Sequence, residues 1–133
     1  MLTIDGTIVS GLGAASSTIA AQMPHLEKQW PHLKGWHPGT INVALDAQLE
    51  VTSLDFVSDP IKWHRSAPAE MFGFKRIVLE HSGTQYNGLL YIPFSSPHRL
   101  NPYYAEVMLP RRENLVGNAC KLHFAKGQAK VLA

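Results

Sequence analysis

Apolar and polar residues alternate along several stretches of the chain, and this period of two predicts β-strands. The first stretch runs from Leu2 to Ser10 and ends at a glycine-rich turn. Further strands are predicted at 40–45, 72–80, 85–94, 103–109 and 119–125, with shorter strand-like pieces at 50–54 and 55–58. We expect 72–80 and 85–94 to form a hairpin, because Ser82-Gly83-Thr84 reads as a turn between them.

The period changes after the glycine-rich turn. Apolar residues there recur at steps of three and four, namely Ile19, Met23, Leu26 and Trp30. This spacing predicts an amphipathic helix over 17–30, with Ser16 or Ser17 as its N-cap. Pro24 is expected to kink or divide that helix, and Pro31 to end it.

One early helix followed by many strands, with no parallel βαβ rhythm and no internal repeat, predicts a mostly β fold. We expect a compact six-stranded antiparallel barrel with one or two short helices. A short polar turn or helix is expected over 111–117, between the last two strands. At 133 residues the chain is long enough for one sizeable core, so a single domain over residues 1–133 is predicted.

The charge balance limits the partners. A net charge of +2 suits a small phosphate-bearing ligand, but the 12 Lys and Arg residues are dispersed and form no basic stripe for a nucleic acid. No apolar stretch approaches the ~20 residues of a membrane span, and the first residues do not resemble a signal peptide. The one cysteine, Cys120, excludes an intrachain disulfide and is predicted to be a buried small hydrophobe. A cytoplasmic protein without nucleic-acid or membrane partners is expected.

The turn after the first strand is a candidate phosphate site. Its sequence is Val9-Ser10-Gly11-Leu12-Gly13-Ala14-Ala15-Ser16, which passes from a strand through Gly-x-Gly into a helix start. Glycine lets backbone N–H groups approach an oxyanion closely, and a helix N-terminus adds partial positive charge. A tight strand-to-helix turn without a ligand explains the pattern equally well.

Thr40 and Asn42 form a second candidate. They are two residues apart on a predicted strand, so their side chains project from the same face. A hydroxyl and an amide carbonyl are hard oxygen ligands that suit Mg²⁺ when a substrate supplies phosphates. Alternatively, Asn42 satisfies a loop backbone and Thr40 merely starts the strand.

Other polar residues carry weaker signals. The histidines show no HxxxH or HExxH pattern, so a zinc site is not expected, and His37 is either a ligand-facing or a solvated loop residue. Arg111-Arg112-Glu113-Asn114 offers guanidinium forks for phosphate or a base edge, or is simply exposed. Glu106 either points outward in its strand or lies at the barrel mouth as a ligand group. Lys75 and Arg76 place one basic side chain on each face of their predicted strand, and both are expected to be solvent-exposed.

Taken in order, these segments resemble the archaeal-type CTP-dependent riboflavin kinase family, whose fold is a six-stranded cradle-loop (RIFT-like) barrel. The resemblance covers nearly the whole chain. It is strongest in two segments, Gly6-Thr7-Ile8-Val9-Ser10-Gly11-Leu12-Gly13 and Gly35-Trp36-His37-Pro38-Gly39-Thr40-Ile41-Asn42-Val43-Ala44-Leu45. Weaker matches follow at Phe72-Gly73-Phe74-Lys75, Leu89-Leu90-Tyr91-Ile92-Pro93 and Glu106-Val107-Met108-Leu109-Pro110.

The resemblance implies phosphate transfer from CTP to riboflavin, giving FMN, with Mg²⁺ as cofactor. It implies that Thr40 and Asn42 hold the metal and that His98 and Glu106 lie at the flavin. It further implies a nucleotide site built from two segments, residues Gly11, Leu12, Gly13, Ala14, Ala15 and Ser16 together with Arg111, Arg112, Glu113 and Asn114. No catalytic residue is assigned.

The chain departs from the family pattern at several points, two of which bear on its function. Ala14-Ala15 replaces a Glu-Gly pair in the phosphate loop, and His98 stands where a threonine is expected. Since alanine approaches a phosphate less freely than glycine, these changes favour an alternative function. That alternative is a non-catalytic module that binds a nucleotide, a flavin or a sugar on the same barrel.

Overall fold

The computed structural model describes residues 1–9, 14–66, 68–94, 102–113, 115 and 119–132, and for 14–18 it describes the backbone alone. The chain is mostly β, with one α-helix and a 3-10 turn at Pro31–Leu33. In chain order the elements are β1 (Leu2–Val9), α1 (Ala14–Gln29), β2 (Ile41–Leu45), β3 (Gln48–Val51), β4 (Phe56–Val57), β5 (Phe72–His81), β6 (Thr84–Pro93), β7 (Tyr104–Met108), β8 (Ala119–Phe124) and β9 (Ala129–Leu132).

Six strands close an antiparallel barrel in the order β5-β6-β7-β2-β1-β8, with β8 pairing back onto β5. The sequence-based prediction of the barrel is confirmed. The two-residue strand β4 pairs with the first part of β5, through Phe56 and Phe74, while β8 pairs with its last part, through His123 and Val78. Strands β3 and β9 form a separate two-stranded ribbon.

The alternation of side chains divides the apolar residues between two cores. Inward-facing residues fill the barrel, among them Val43, Leu79, Val107 and Leu122, all inaccessible to solvent. Outward-facing residues of β5, β6 and β7 form the second core with α1, in which Leu26 is completely buried. Burying a leucine side chain contributes about 1.5–3 kcal/mol, so this contact holds the helix against the barrel.

Two details of the predicted helix were wrong. The helix begins at Ala14, so Ser16 and Ser17 lie inside its first turn and neither is the N-cap. Pro24 does not divide the helix, which continues to Gln29. The buried contacts on both sides of the proline, with Gln22 also accepting a 2.7 Å hydrogen bond from the Tyr91 hydroxyl, offset the one backbone hydrogen bond that proline cannot donate.

The β5–β6 hairpin is confirmed. Ser82 and Gly83 form its two-residue turn with φ of 50° and 79°, the left-handed pair that matches the twist of the flanking strands.

The remaining differences from the sequence-based prediction lie in short elements. β3 starts and ends earlier than predicted, and β9 was missed because its four residues show no clear alternation. The described residues in 111–117, which are 111–113 and 115, carry no helix. Within the described chain no helix is long and apolar enough to cross a membrane.

Candidate functional site

The pairing registers bring three chain segments to one end of the barrel, which we call the upper end. Val9 at the end of β1 lies opposite Asn42 near the start of β2. Ile41 lies opposite Val107 near the end of β7. The exits of β1 and β7 and the entrance of β2 therefore share this end, although the segments are far apart in sequence.

Thr40, Asn42 and Glu106 come together at the upper end. Asn42 is the direct cross-strand neighbour of Glu106, and both lie on the outer side of the barrel because the residues flanking them point into the core. The Thr40 hydroxyl donates a hydrogen bond of 3.4 Å to Oε1 of Glu106. All three side chains are half-buried. The outward position predicted for Glu106 is confirmed, and it coincides with a place near the candidate metal ligands.

A first cavity, which we call the Thr40 cavity, has a volume of about 170 Å³. It lies between the start of β2 and the exit of β7, where the backbone N–H of His37 donates to the carbonyl of Pro110 at 3.1 Å. Its walls are His37, Gly39, Thr40, Ile41, Val107, Leu109, Arg111, Arg112 and Glu113. Two arginines, a histidine and a threonine line this small space together with one carboxylate, that of Glu113, and the excess of cationic and donor groups suits a phosphate-bearing ligand.

A second cavity, the Glu106 cavity, has a volume of about 160 Å³. It lies where β6 and β7 separate, since these strands pair only at Leu89 with Met108 and Leu90 with Val107. Past these pairs the two strands form opposite walls, and the β3–β9 ribbon adds to the lining. The lining residues are Leu49, Val51, Leu90, Tyr91, Ile92, Pro93, Pro102, Tyr104, Ala105 and Glu106.

The Glu106 cavity combines an apolar lining with the carboxylate of Glu106 and the phenol of Tyr104. Burial raises the pKa of the Tyr104 hydroxyl, and the nearby Glu106 carboxylate raises it further. Tyr104 therefore stays a neutral hydrogen-bond donor at physiological pH. The sequence had not singled out Tyr104 or the ribbon residues, because only the separation of β6 from β7 makes them cavity walls.

The two cavities are linked through their lining residues. Thr40 lines the first cavity, Glu106 lines the second, and the hydrogen bond of 3.4 Å joins their side chains. A polar, arginine-lined space thus lies next to an apolar, carboxylate-bearing one. Such an arrangement allows an anionic donor and a largely apolar acceptor to meet at Thr40 and Glu106.

The other predicted site residues divide into three groups. Arg111, Arg112 and Glu113 line the same cavity as Thr40. Ala14, Ala15 and Ser16 lie in the first turn of α1, which begins five positions after Val9, the residue opposite Asn42. Gly11, Leu12, Gly13, His98 and Asn114 lie outside the described residues.

The donor set around Glu106 fits Mg²⁺ better than a softer metal. Thr40, Asn42 and Glu106 offer a hydroxyl, an amide and a carboxylate, all hard oxygen ligands. Among the residues described, no group of three His, Cys, Asp or Glu side chains could hold a metal ion by itself. The site thus suits an ion whose coordination is completed by substrate phosphates and water.

No family model matches the chain, and no curated protein matches it.

Proposed function

We propose that the protein is a Mg²⁺-dependent phosphotransferase of the CTP-dependent riboflavin kinase type. In this proposal the γ-phosphoryl group of CTP passes to the 5′-hydroxyl oxygen of riboflavin. The bond from the γ-phosphorus to the β,γ-bridging oxygen breaks, a new P–O bond forms, and the hydroxyl proton is released, leaving CDP and FMN. The single, buried cysteine is compatible with work in a reducing cytoplasm.

The observation that supports this proposal most strongly is the junction of the two cavities at the Thr40–Glu106 hydrogen bond. Phosphoryl transfer depends mainly on holding donor and acceptor in line and on neutralising charge. One cavity has the cations for a triphosphate and the other has the apolar walls for a flavin ring. Their contact point is where the reacting atoms of the two substrates would meet.

The residues have separable roles in this proposal. Arg111 and Arg112 bind phosphate oxygens through their guanidinium forks, and the first turn of α1 offers backbone N–H groups to the same anion. Thr40 and Asn42 would hold Mg²⁺, which supplies charge neutralisation at the phosphates. Glu106 and Tyr104 orient the acceptor, with the carboxylate accepting and the phenol donating hydrogen bonds.

A second candidate function is a non-catalytic module that binds the same ligands. It is favoured by Ala14 and Ala15, which occupy the start of α1 where the family has Glu-Gly, so the first helical turn carries no acidic residue. This replacement removes a carboxylate from the phosphate loop while the cavities and the Thr40–Glu106 contact remain.

A thermal-shift panel with CTP, ATP, riboflavin and FMN, each with and without Mg²⁺, tests the proposal. A ligand at about 100 times its Kd stabilises by about 2.7 kcal/mol, which raises the Tm by several degrees. We expect shifts with CTP and riboflavin, the former dependent on Mg²⁺. The absence of a shift with every nucleotide and flavin would reject both the kinase and the binding module.

The variant Asn42→Ala should lose the Mg²⁺-dependent part of the CTP shift and keep the riboflavin shift. Gln85→Ala, at an exposed position on β6, is the matched control and should behave like the wild type. A Mg²⁺-dependent shift that survives in Asn42→Ala would refute the assignment of the metal ligands.

A further inference from the structure

A third space, which we call the Trp36 cleft, shares no wall with the two cavities of the proposed site. Its volume of about 550 Å³ lies within the range of about 300–1,000 Å³ of small-molecule sites. It separates the loop after α1 from the outer faces of β5 and β6 and extends to the end of β8. Its walls are mostly apolar and include His32, Trp36, Arg76, Val78, Leu89 and His123.

Aromatic rings follow one side of the cleft. The ring of His32 lies 5.0 Å from that of Trp30 and 5.8 Å from that of Trp36, tilted against each. His32 is exposed and Trp36 is half-buried, so both can present ring surface to a ligand. Planar rings pack on such surfaces in offset or edge-to-face contacts.

The cleft also carries a positive charge. Arg76 lines it with a side chain that is 57% exposed, and its guanidinium carbon lies 5.5 Å from the ring centroid of Trp30. Asp55 contacts Arg76 at 3.8 Å, but the same carboxylate contacts the ammonium of Lys75 at 3.3 Å. Two cations share one carboxylate, so this group of charges keeps a net positive charge, and Arg76 is its solvent-accessible member.

The carboxylate of Glu80, whose partner His123 lines the cleft, is already engaged. Glu80 is hydrogen-bonded to His123 at 3.0 Å, and its pKa is lowered chiefly by that bond. The Glu80–His123 pair therefore does not compete for Arg76. A ligand in the cleft would place its anionic group at the guanidinium of Arg76 on one side and its ring against His32 and Trp36 on another.

From this arrangement we infer that the Trp36 cleft is a second ligand site, which binds planar aromatic molecules that carry an anionic group. The ring system lies against Trp36 and the apolar residues of β5 and β6, and the anion accepts hydrogen bonds from Arg76. The inference does not depend on the proposed kinase activity.

Isothermal titration calorimetry with naphthalene-2-sulfonate and the uncharged naphthalene-2-methanol tests the site. The wild type should bind the sulfonate at least about tenfold more tightly, because a hydrogen bond to a charged group adds to the stacking. Arg76→Gln should remove this preference, whereas Arg65→Gln, at an exposed loop arginine, should keep it. No saturable binding of the sulfonate, or equal binding by wild type and Arg76→Gln, would overturn the inference.

Trp36→Leu gives an independent test, with its folding checked by thermal unfolding because Trp36 packs against the second core. It should weaken both probes by roughly fivefold through lost stacking. Undiminished binding in this variant would place the probes elsewhere and contradict the inference. Arg111→Gln, in the wall of the Thr40 cavity, should bind both probes like the wild type, and loss of binding there would assign them to that cavity instead.

Discussion

Two polar clusters of this barrel differ in what surrounds their charged groups. One surrounds Lys75, whose side chain is only 3% exposed. The other is the half-buried group of Thr40, Asn42 and Glu106 at the upper end. The first is enclosed by protein groups on several sides, whereas the second lies between two cavities.

The Lys75 cluster joins three parts of the chain. Its ammonium contacts Asp55 at 3.3 Å and donates hydrogen bonds to Gln128, just before β9, and to Ser53. Asp55 in turn accepts a 2.6 Å hydrogen bond from the backbone N–H of Arg76. Because Ser53 follows β3 and Gln128 precedes β9, these contacts fasten the β3–β9 ribbon to β5.

The Thr40–Glu106 hydrogen bond, at 3.4 Å, instead joins two residues that line cavities of about 170 and 160 Å³. A buried charge with a complete set of protein partners indicates a structural role. Hard oxygen ligands and arginines around cavities indicate a role in binding. Polar residues thus stabilise the fold in one place and, in our proposal, bind the substrates in the other.

The largest expected effect is on the structural side of this comparison. Asp55→Asn leaves the Lys75 ammonium buried without its countercharge, which should lower the free energy of unfolding by about 3 kcal/mol. Urea denaturation measures it. Asp5→Asn breaks the exposed pair with Lys121 and should cost less than about 1 kcal/mol. Equal losses in the two variants would remove the distinction between the clusters.

The next effect is on the functional side. Glu106→Gln keeps the shape of the side chain but removes its charge, so FMN formation should fall by about 100-fold, a loss typical for a group that orients or stabilises the reacting atoms. The free energy of unfolding should change by less than about 1 kcal/mol. Glu50→Gln, at an exposed pair with Lys130, should preserve both quantities. A large loss of stability in Glu106→Gln with unchanged kinetics per folded molecule would make Glu106 structural.

A smaller effect concerns a third polar group, the Glu80–His123 pair that joins β5 to β8. Hydrogen bonds from His123 and Gln85 lower the pKa of Glu80 below its usual 4.5. A lowered pKa contributes stability above the unfolded value, and this is lost as the pH falls through the folded value. The wild type should therefore exceed Glu80→Gln in stability near neutral pH, with the difference vanishing in acid. A difference that grows below pH 4.5 would contradict this assignment.

The smallest effect concerns Cys120 inside the barrel. Burial, with help from Asp46 and Asp5, raises the pKa of the thiol to about 11. The neutral thiol is therefore favoured in the folded protein at all pH values below this. Reaction with an aromatic disulfide reagent at pH 8 should be at least about 100-fold slower in the folded protein than in urea. Comparable rates would show that the barrel opens readily.

Much of the fold follows from local patterns, but the relation between distant segments does not. The period of two identifies the long strands, and it also places Glu106 on the outside of β7. That Glu106 lies opposite Asn42 depends on the pairing of β2 with β7, which no local pattern reports. The resemblance to a family stays a prediction, although it had grouped these residues in one site.

Lys75 shows a second limit of the sequence. The expected solvated face was wrong for Lys75 and right for Arg76, although each points to its own side of β5 as predicted. A lysine next to apolar residues reads as exposed unless its partners are known. Those partners, Asp55 and Gln128, lie 20 and 53 positions away along the chain.

The most direct test of the central claim is chromatographic detection of FMN after incubation of the protein with riboflavin, CTP and Mg²⁺. The proposal predicts FMN from the wild type only when Mg²⁺ is present, and at least about a 100-fold slower rate from Asn42→Ala. Riboflavin and CTP that bind the wild type without forming FMN would contradict the kinase and favour the binding module.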